Sequence, residues 1–171
     1  MSRLESSPDG LSMINRCQVA RRSESGQSLI EVALLLPFLV LMMLGVIELG
    51  RYAYIGILVG NAARAGAAYG IESLPQSVDT VNISLAAQND FQNNGQSGLT
   101  VTSSVSCGCD SGGSVTSSAC TGAGSGSCAS GHWVVIVSVT ASGTFNSLFN
   151  YPGISSSITI SRTSSMRVRL V

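Results

Sequence analysis

Lysine is absent from this sequence; its nine basic residues are all arginines, balanced by nine acidic ones, so the formal net charge is zero. Aromatic residues make up 5% and charged residues 11% of the chain, which leaves no basic stripe and few stacking platforms. Nucleic acid demands both, and is excluded as a partner. Histidine occurs once, as His132 beside Trp133, and a solitary imidazole at a strand start reads as a rim residue. Asp79, Asp90 and Asp110 share no motif spacing, and the serines form low-complexity runs rather than a nucleophile elbow. No acid–base constellation emerges. The expectation is a protein that is not an enzyme and holds neither cofactor nor metal.

What the chain does contain is oil. Residues 32–47 carry no charge, and extension to Leu29 and Gly50 gives the roughly 20 residues that cross about 30 Å of hydrocarbon. The lipid bilayer is therefore the first expected partner, crossed once. Arg3, Arg16, Arg21 and Arg22 precede the run, against Glu5, Asp9 and Glu24, and this places the N-terminus in the cytoplasm by the positive-inside rule. Arg51 and Arg64 weaken that bias without reversing it. A cleavable secretory signal fits poorly, because its apolar region spans only about 7–15 residues before a small-residue site. The nearest such site here, Ala65-Gly66-Ala67, lies too far beyond the run.

Glu31 sits just inside this segment, where a charge is costly: about 2.5–3.5 kcal/mol at a helix centre on insertion scales, less near an end. Gly26, followed by Gln27-Ser28-Leu29-Ile30-Glu31 and an apolar helix, resembles the processing site of type IV prepilins, cut after the glycine. The longer string "GQSLIEVALLLPFLVLMMLGVIELGRYAYIGILVGNAARAGAAYG" is similar to the TadE-like family of the tight-adherence (Tad, or Flp-type) pilus systems. Pro37, Glu48, Arg51 and the Asn61-Ala62-Ala63-Arg64-x-Gly66 patch are its further landmarks, and the closing "SSMRVRLV" is a weaker one. The outer region is much larger than that of a short major pilin, which favours the minor, pseudopilin-like members.

That resemblance implies a bacterial inner-membrane protein cleaved by a prepilin peptidase between Gly26 and Gln27. Its implied partners are other pilin or pseudopilin subunits and Tad assembly proteins. It also implies a purpose for Glu31, whose carboxylate would meet the new amine of a neighbouring subunit's Gln27; buried charges persist when paired. The plainer alternative is a carboxylate that snorkels as part of a helix cap with Ser28. A second function of a different class is an unprocessed single-span anchor whose outer domain binds a surface partner.

Between Leu29 and about Gly70 the only strong breaker is Pro37, so the helix is expected to continue outward. Some 40 residues at 1.5 Å each make a rod of about 60 Å. Along its outer half, Ala53, Gly56, Gly60, Ala63, Ala67 and Gly70 recur at spacings of three and four, a seam that admits another backbone very closely. Whether that backbone is the chain's own sheet or another subunit's helix is open. Glu48 and Arg51 are spaced to pair on one face, and Tyr52 and Tyr54 suit the aromatic belt of a membrane surface.

Beyond Pro75, residues 77–94 predict a short amphipathic helix through Val78, Val81, Leu85, Ala86 and the stretch Gln88 to Phe91, stopped by Gly95. Leu99, Val101 and Val105 mark a strand, "HWVVIVSVTA" the clearest one, and Ile158, Ile160, Met166, Val168 and Leu170 a third. The predicted class is α+β: a long transmembrane helix continuing outward, a short helix and a small antiparallel sheet with a disulfide-bearing loop. Cys107, Cys109, Cys120 and Cys128 lie in that Gly/Ser-rich loop, even in number and outside the membrane, and predict two disulfides. Zinc is the alternative, but Cys107-x-Cys109 followed by wide gaps lacks paired C-x₂-C spacing. Cys107 and Cys109 are too close to bridge each other, and each is free to reach Cys120 or Cys128. The expected organisation is a cytoplasmic leader (1–26), a transmembrane helix (27–50), its outward extension (51–74) and an extracytoplasmic domain (75–171).

Overall fold

The computed structural model describes residues 12–120, 126–149, 153 and 155–168, with side chains from residue 26 onward. Most of the expected leader and Leu170 therefore lie outside the described residues or side chains. Helix α1 runs Ser12–Gly70 with Pro37 inside it, starting well before the expected Leu29. Ala, Arg, Gln and Met between residues 12 and 25 are good helix formers, and no proline interrupts them.

The chain divides into two compact units, Met1–Ile47 and Glu48–Val171. In the first, the described side chains are almost all exposed, including Leu29 at 70% and Leu34 at 75%. The stretch Gly26–Gly70 is long and apolar enough to cross a membrane, and none of its most apolar window is covered by the chain itself. Such a surface is stable only against lipid or another protein.

In the second unit α1 ends against two shorter helices and a sheet. Helix α2 (Leu74–Ser77) is capped by Ser73, whose hydroxyl accepts from the Gln76 N–H. Helix α3 (Thr80–Asn93) is capped by Asp79, which accepts from the Asn82 N–H at 3.0 Å and the Asn82 side-chain amide at 2.6 Å. The Asn82 side-chain bond, followed by its backbone bond, holds the Asp79 carboxyl below the usual carboxylate range. Strands β1 (Thr100–Asp110), β2 (Val115–Ser118), β3 (His132–Asn146) and β4 (Ser157–Arg167) form one antiparallel sheet in the order β2-β1-β3-β4.

The sheet is half-buried in the alternating manner that antiparallel strands allow. Val135, Val137, Val139 and Ala141 on β3 face the helices and are fully buried. Their neighbours form an exposed hydroxyl face: Ser138, Thr140 and Ser142 bond across to Ser165, Thr163 and Ser161 at 2.8, 2.8 and 3.1 Å.

The inward face of α3 includes the expected Phe91 but otherwise differs from the expected one. Ile83, Ala87 and Phe91 are buried, whereas Val78, Val81 and Leu85 are 57%, 67% and 46% exposed. Glycine notches on α1 decide the matter. A Cβ at Gly70 would stand 3.2 Å from Ile83 Cδ1 and 3.0 Å from Val137 Cγ1, so this glycine makes the room that Ile83 fills.

Candidate functional site

The first candidate site is the beginning of the apolar run. Gly26, Gln27 and Glu31 all lie in α1 and are exposed. A Cβ at Gly26 would meet nothing within 4 Å, and its φ is not positive. Among the described residues, no packing therefore calls for glycine there, although in a helix interior it costs about 1 kcal/mol relative to Ala. Glu31 stands in the middle of exposed Leu29, Ile30, Val32 and Leu34.

The second candidate lies where the run ends. Glu48, the first charged residue after it, has a side chain only 11% exposed and accepts from Arg51 Nη1 at 3.0 Å through Oε2. Its other oxygen, Oε1, accepts from the backbone N–H of Leu148 at 2.6 Å. Arg51 in turn lies over the Phe145 ring, 5.4 Å from its centroid, and Tyr52 meets that ring edge-on at 5.7 Å. The spacing of Glu48 and Arg51 predicted their pairing; the link to the β3–β4 loop had no local signal.

The small-residue seam meets the chain's own sheet and α3. Ala63, Ala67 and Gly70 are buried, and a Cβ at Gly66 would press on Ile83 O at 3.0 Å and on Ala87 Cβ and Val139 Cγ1 at 3.2 Å. Gly56 and Gly60 are half-buried beneath Arg162, whose Nη2 and Cγ would lie 3.8 and 4.0 Å from added Cβ atoms. Ala53 is exposed. Sequence reasoning missed Gly143 on β3, where a Cβ would stand 2.9 Å from Val59 Cγ2.

At the far end, disulfides join Cys107 to Cys120 and Cys109 to Cys128, closing sequence separations of 13 and 19. Beside them Asp110, its side chain 6% exposed, accepts from the Gly113 N–H at 2.9 Å and from Arg167 Nη1 at 2.5 Å. These bonds, the Gly113 N–H foremost, hold its carboxyl below the usual carboxylate range. His132 Nε2 lies 3.9 Å away on an exposed ring. Gly131, with φ of +85°, passes so close to the Asp110 carbonyl that no side chain fits. Among the described residues no group of three or more His, Cys, Asp or Glu is arranged to hold a metal ion.

An exposed apolar helix long enough to cross a membrane, in a chain that also carries a disulfide-pinned α+β unit, points to a membrane anchor. Residues 26–68 match the family model described as TadE-like protein, which identifies this segment as TadE-like. The match begins at Gly26 and ends just before the buried turn of the seam at Gly70. No curated protein and no solved structure matches the chain in the comparisons made with them. The TadE-like segment and the apolar helix together support a membrane protein associated with a Tad pilus.

Proposed function

We propose that this chain is a minor-pilin or pseudopilin-like component of a Tad-type pilus apparatus. Its apolar helix α1 anchors it in the inner membrane with the N-terminus cytoplasmic and the disulfide-bonded domain outside. A prepilin-type peptidase cuts between Gly26 and Gln27, and the freed helix packs beside those of other subunits. Its role is structural.

Gly26 carries this reading: it opens the TadE-like match, lies on an exposed helix surface, and is a glycine for which packing among the described residues has no use. An external requirement, recognition at a cut, supplies the missing reason. Glu31 fits the same scheme, since a carboxylate among exposed leucines is stabilised when a neighbour brings an amine.

The test is Glu31→Ala. The variant is expected to be processed and inserted normally while losing incorporation into sheared or affinity-purified pilus fractions. Incorporation at the wild-type level removes the role given to this carboxylate.

One observation favours the alternative, an unprocessed anchor that presents its domain to a surface partner. Helix α1 passes through Gly26 without a break, so the bond to be cut is helical in the resting chain. Cleavage then requires local unwinding, for which a glycine in the helix is the cheapest place.

A further inference from the structure

Strand β1 is paired along its whole length on one side and along only part of it on the other. Its Thr100–Asp110 register with β3 is unbroken, whereas β2 covers the opposite side only from Cys107 to Asp110. Two residues beyond β2, Cys120 is bridged back to Cys107, which holds the chain there.

The hairpin between β1 and β2 shows which backbone groups are left over. The Ser111 N–H donates across the turn to the Ser114 carbonyl at 3.1 Å, so the backbone groups of Ser111 face β2. Antiparallel alternation aims those of Cys109 and Cys107 the same way, and those of Val101, Ser103 and Val105 at the side that β2 leaves open. The latter three have no backbone partner on that side among the described residues. Residues 99–106 hold neither charge nor proline, the usual guards of an open edge. The sheet's other edge, β4, does carry charges, at Arg162 and Arg167.

Beside the open edge runs a groove of about 510 Å³, with Val81, Ser84 and Leu85 of α3 on one side, Val101 and Ser103 of β1 on the other, and no charged residue in its lining. Val81 and Leu85 are exposed, because α3 makes its core contact through Ile83, Ala87 and Phe91. Val101, Ser103 and Val105 share the helix-facing side of the sheet with Val137, Val139 and Ala141, yet are only half-buried. A further strand beside β1 brings every second side chain over this groove.

We propose that the open half of β1 is a strand-addition site. The occupant is an extended, uncharged segment of another protein, with apolar side chains at alternate positions, running antiparallel to β1. Its backbone pairs with Val101, Ser103 and Val105, and its inward side chains settle against Val81 and Leu85. The added ladder continues the β1–β2 interface along the same edge and in the direction of β2. An uncharged lining selects an uncharged occupant, since a charge seated there finds no partner. The site uses only the 48–171 unit and depends on neither cleavage nor a membrane.

The experiment uses the full-length, isotope-labelled chain in detergent micelles, with thiol titration confirming both disulfides. The probe is a short, end-blocked peptide of alternating threonine and valine at millimolar concentration. In an antiparallel pair the inward valines are the residues whose N–H groups face β1, so the control peptide is methylated at every valine amide. The unmethylated peptide is expected to shift the Val101, Ser103 and Val105 amide resonances and to slow their hydrogen exchange at least about tenfold, and the control to do neither. Leu85→Arg, at an exposed position, should weaken binding at least about tenfold while leaving the amide spectrum of the sheet unchanged. Equal binding of the two peptides reduces the site to apolar adhesion and overturns the proposal, as does a peptide that leaves these three amides unmoved. Amides already protected without peptide also overturn it. Protection independent of protein concentration means that the chain covers its own edge, and protection that rises with concentration gives the edge to a second copy.

Discussion

The carboxylate of Glu48 accepts a hydrogen bond from the backbone N–H of Leu148, 100 residues later in the chain, at 2.6 Å. One residue thereby joins the helix where the apolar run stops to the turn between the last two strands. The same carboxylate pairs with Arg51, and its own side chain is 11% exposed, so the Arg51 bond is partly withdrawn from water while the Leu148 end of the other lies at the surface. Hydrogen bonds to charged groups in such settings contribute about 1.5–3 kcal/mol.

Replacement of this acceptor is the first prediction. Glu48→Ala should destabilise the 48–171 unit by about 1.5–3 kcal/mol and speed hydrogen exchange at the Leu148 amide, while Glu48→Gln, which keeps an acceptor oxygen, should protect that amide. Equal protection in wild type and Glu48→Ala would show the clamp to be unimportant.

The glycine notches give the second. Gly66→Val should cost about 1–3 kcal/mol through overpacking, since even a Cβ there lies 3.0 Å from a backbone oxygen of α3. Gly50→Ala, with open space around it, should leave unfolding of the 48–171 unit unchanged. Denaturant unfolding of both variants, followed by Trp133 fluorescence, separates a packing requirement from mere glycine abundance.

Disulfide connectivity is the third. Protein isolated without reductant should show no free thiol among Cys107, Cys109, Cys120 and Cys128, with a mass about 4 Da below the reduced form, one hydrogen lost per cysteine. Non-reducing peptide mapping should join Cys107 to Cys120 and Cys109 to Cys128, and loss of either bridge should cost about 2–4 kcal/mol. Four alkylatable thiols with stoichiometric zinc would replace the disulfides by a metal site.

The fourth concerns acid. The folded-state pKa of Asp110 is depressed by the Gly113 N–H and Arg167, so the stability it contributes is fully present above the unfolded value of about 3.9 and is lost as pH falls through the lower folded value. Stability should therefore drop in the window below about pH 4, and Asp110→Asn should flatten that part of the profile. Arg167→Gln should move the Asp110 carboxyl back toward its ordinary range in a carbon-detected NMR titration. An unchanged titration would remove Arg167 as a cause and leave the Gly113 N–H and, behind it, His132.

Much of this arrangement is legible in local patterns. Alternation of apolar and hydroxyl residues in "HWVVIVSVTA" marks both faces of β3, although the strand runs on to Asn146 because Ala141, Gly143 and Phe145 keep the same inward face. The apolar run and the paired cysteines speak through composition alone. Strand β2 does not, because Val115–Ser118 holds one apolar residue and is placed by its antiparallel pairing with β1. The face of α3 is equally hidden. Val81 and Leu85 form as good a four-residue stripe as Ile83 and Ala87, and the choice is made by glycines on a different helix. At the candidate site, the spacing of Glu48 and Arg51 is a helical signal, whereas the Leu148 bond is a tertiary one that no spacing encodes.

The start of the mature chain tests the proposed function most directly. Intact mass and N-terminal analysis of protein from cells with an active prepilin-type peptidase should give a chain beginning at Gln27. The Gly26→Val variant should remain full length, because a branched side chain obstructs the cut. Wild-type protein that still begins at Met1 under those conditions would contradict the pilin-like reading and leave the unprocessed anchor in its place.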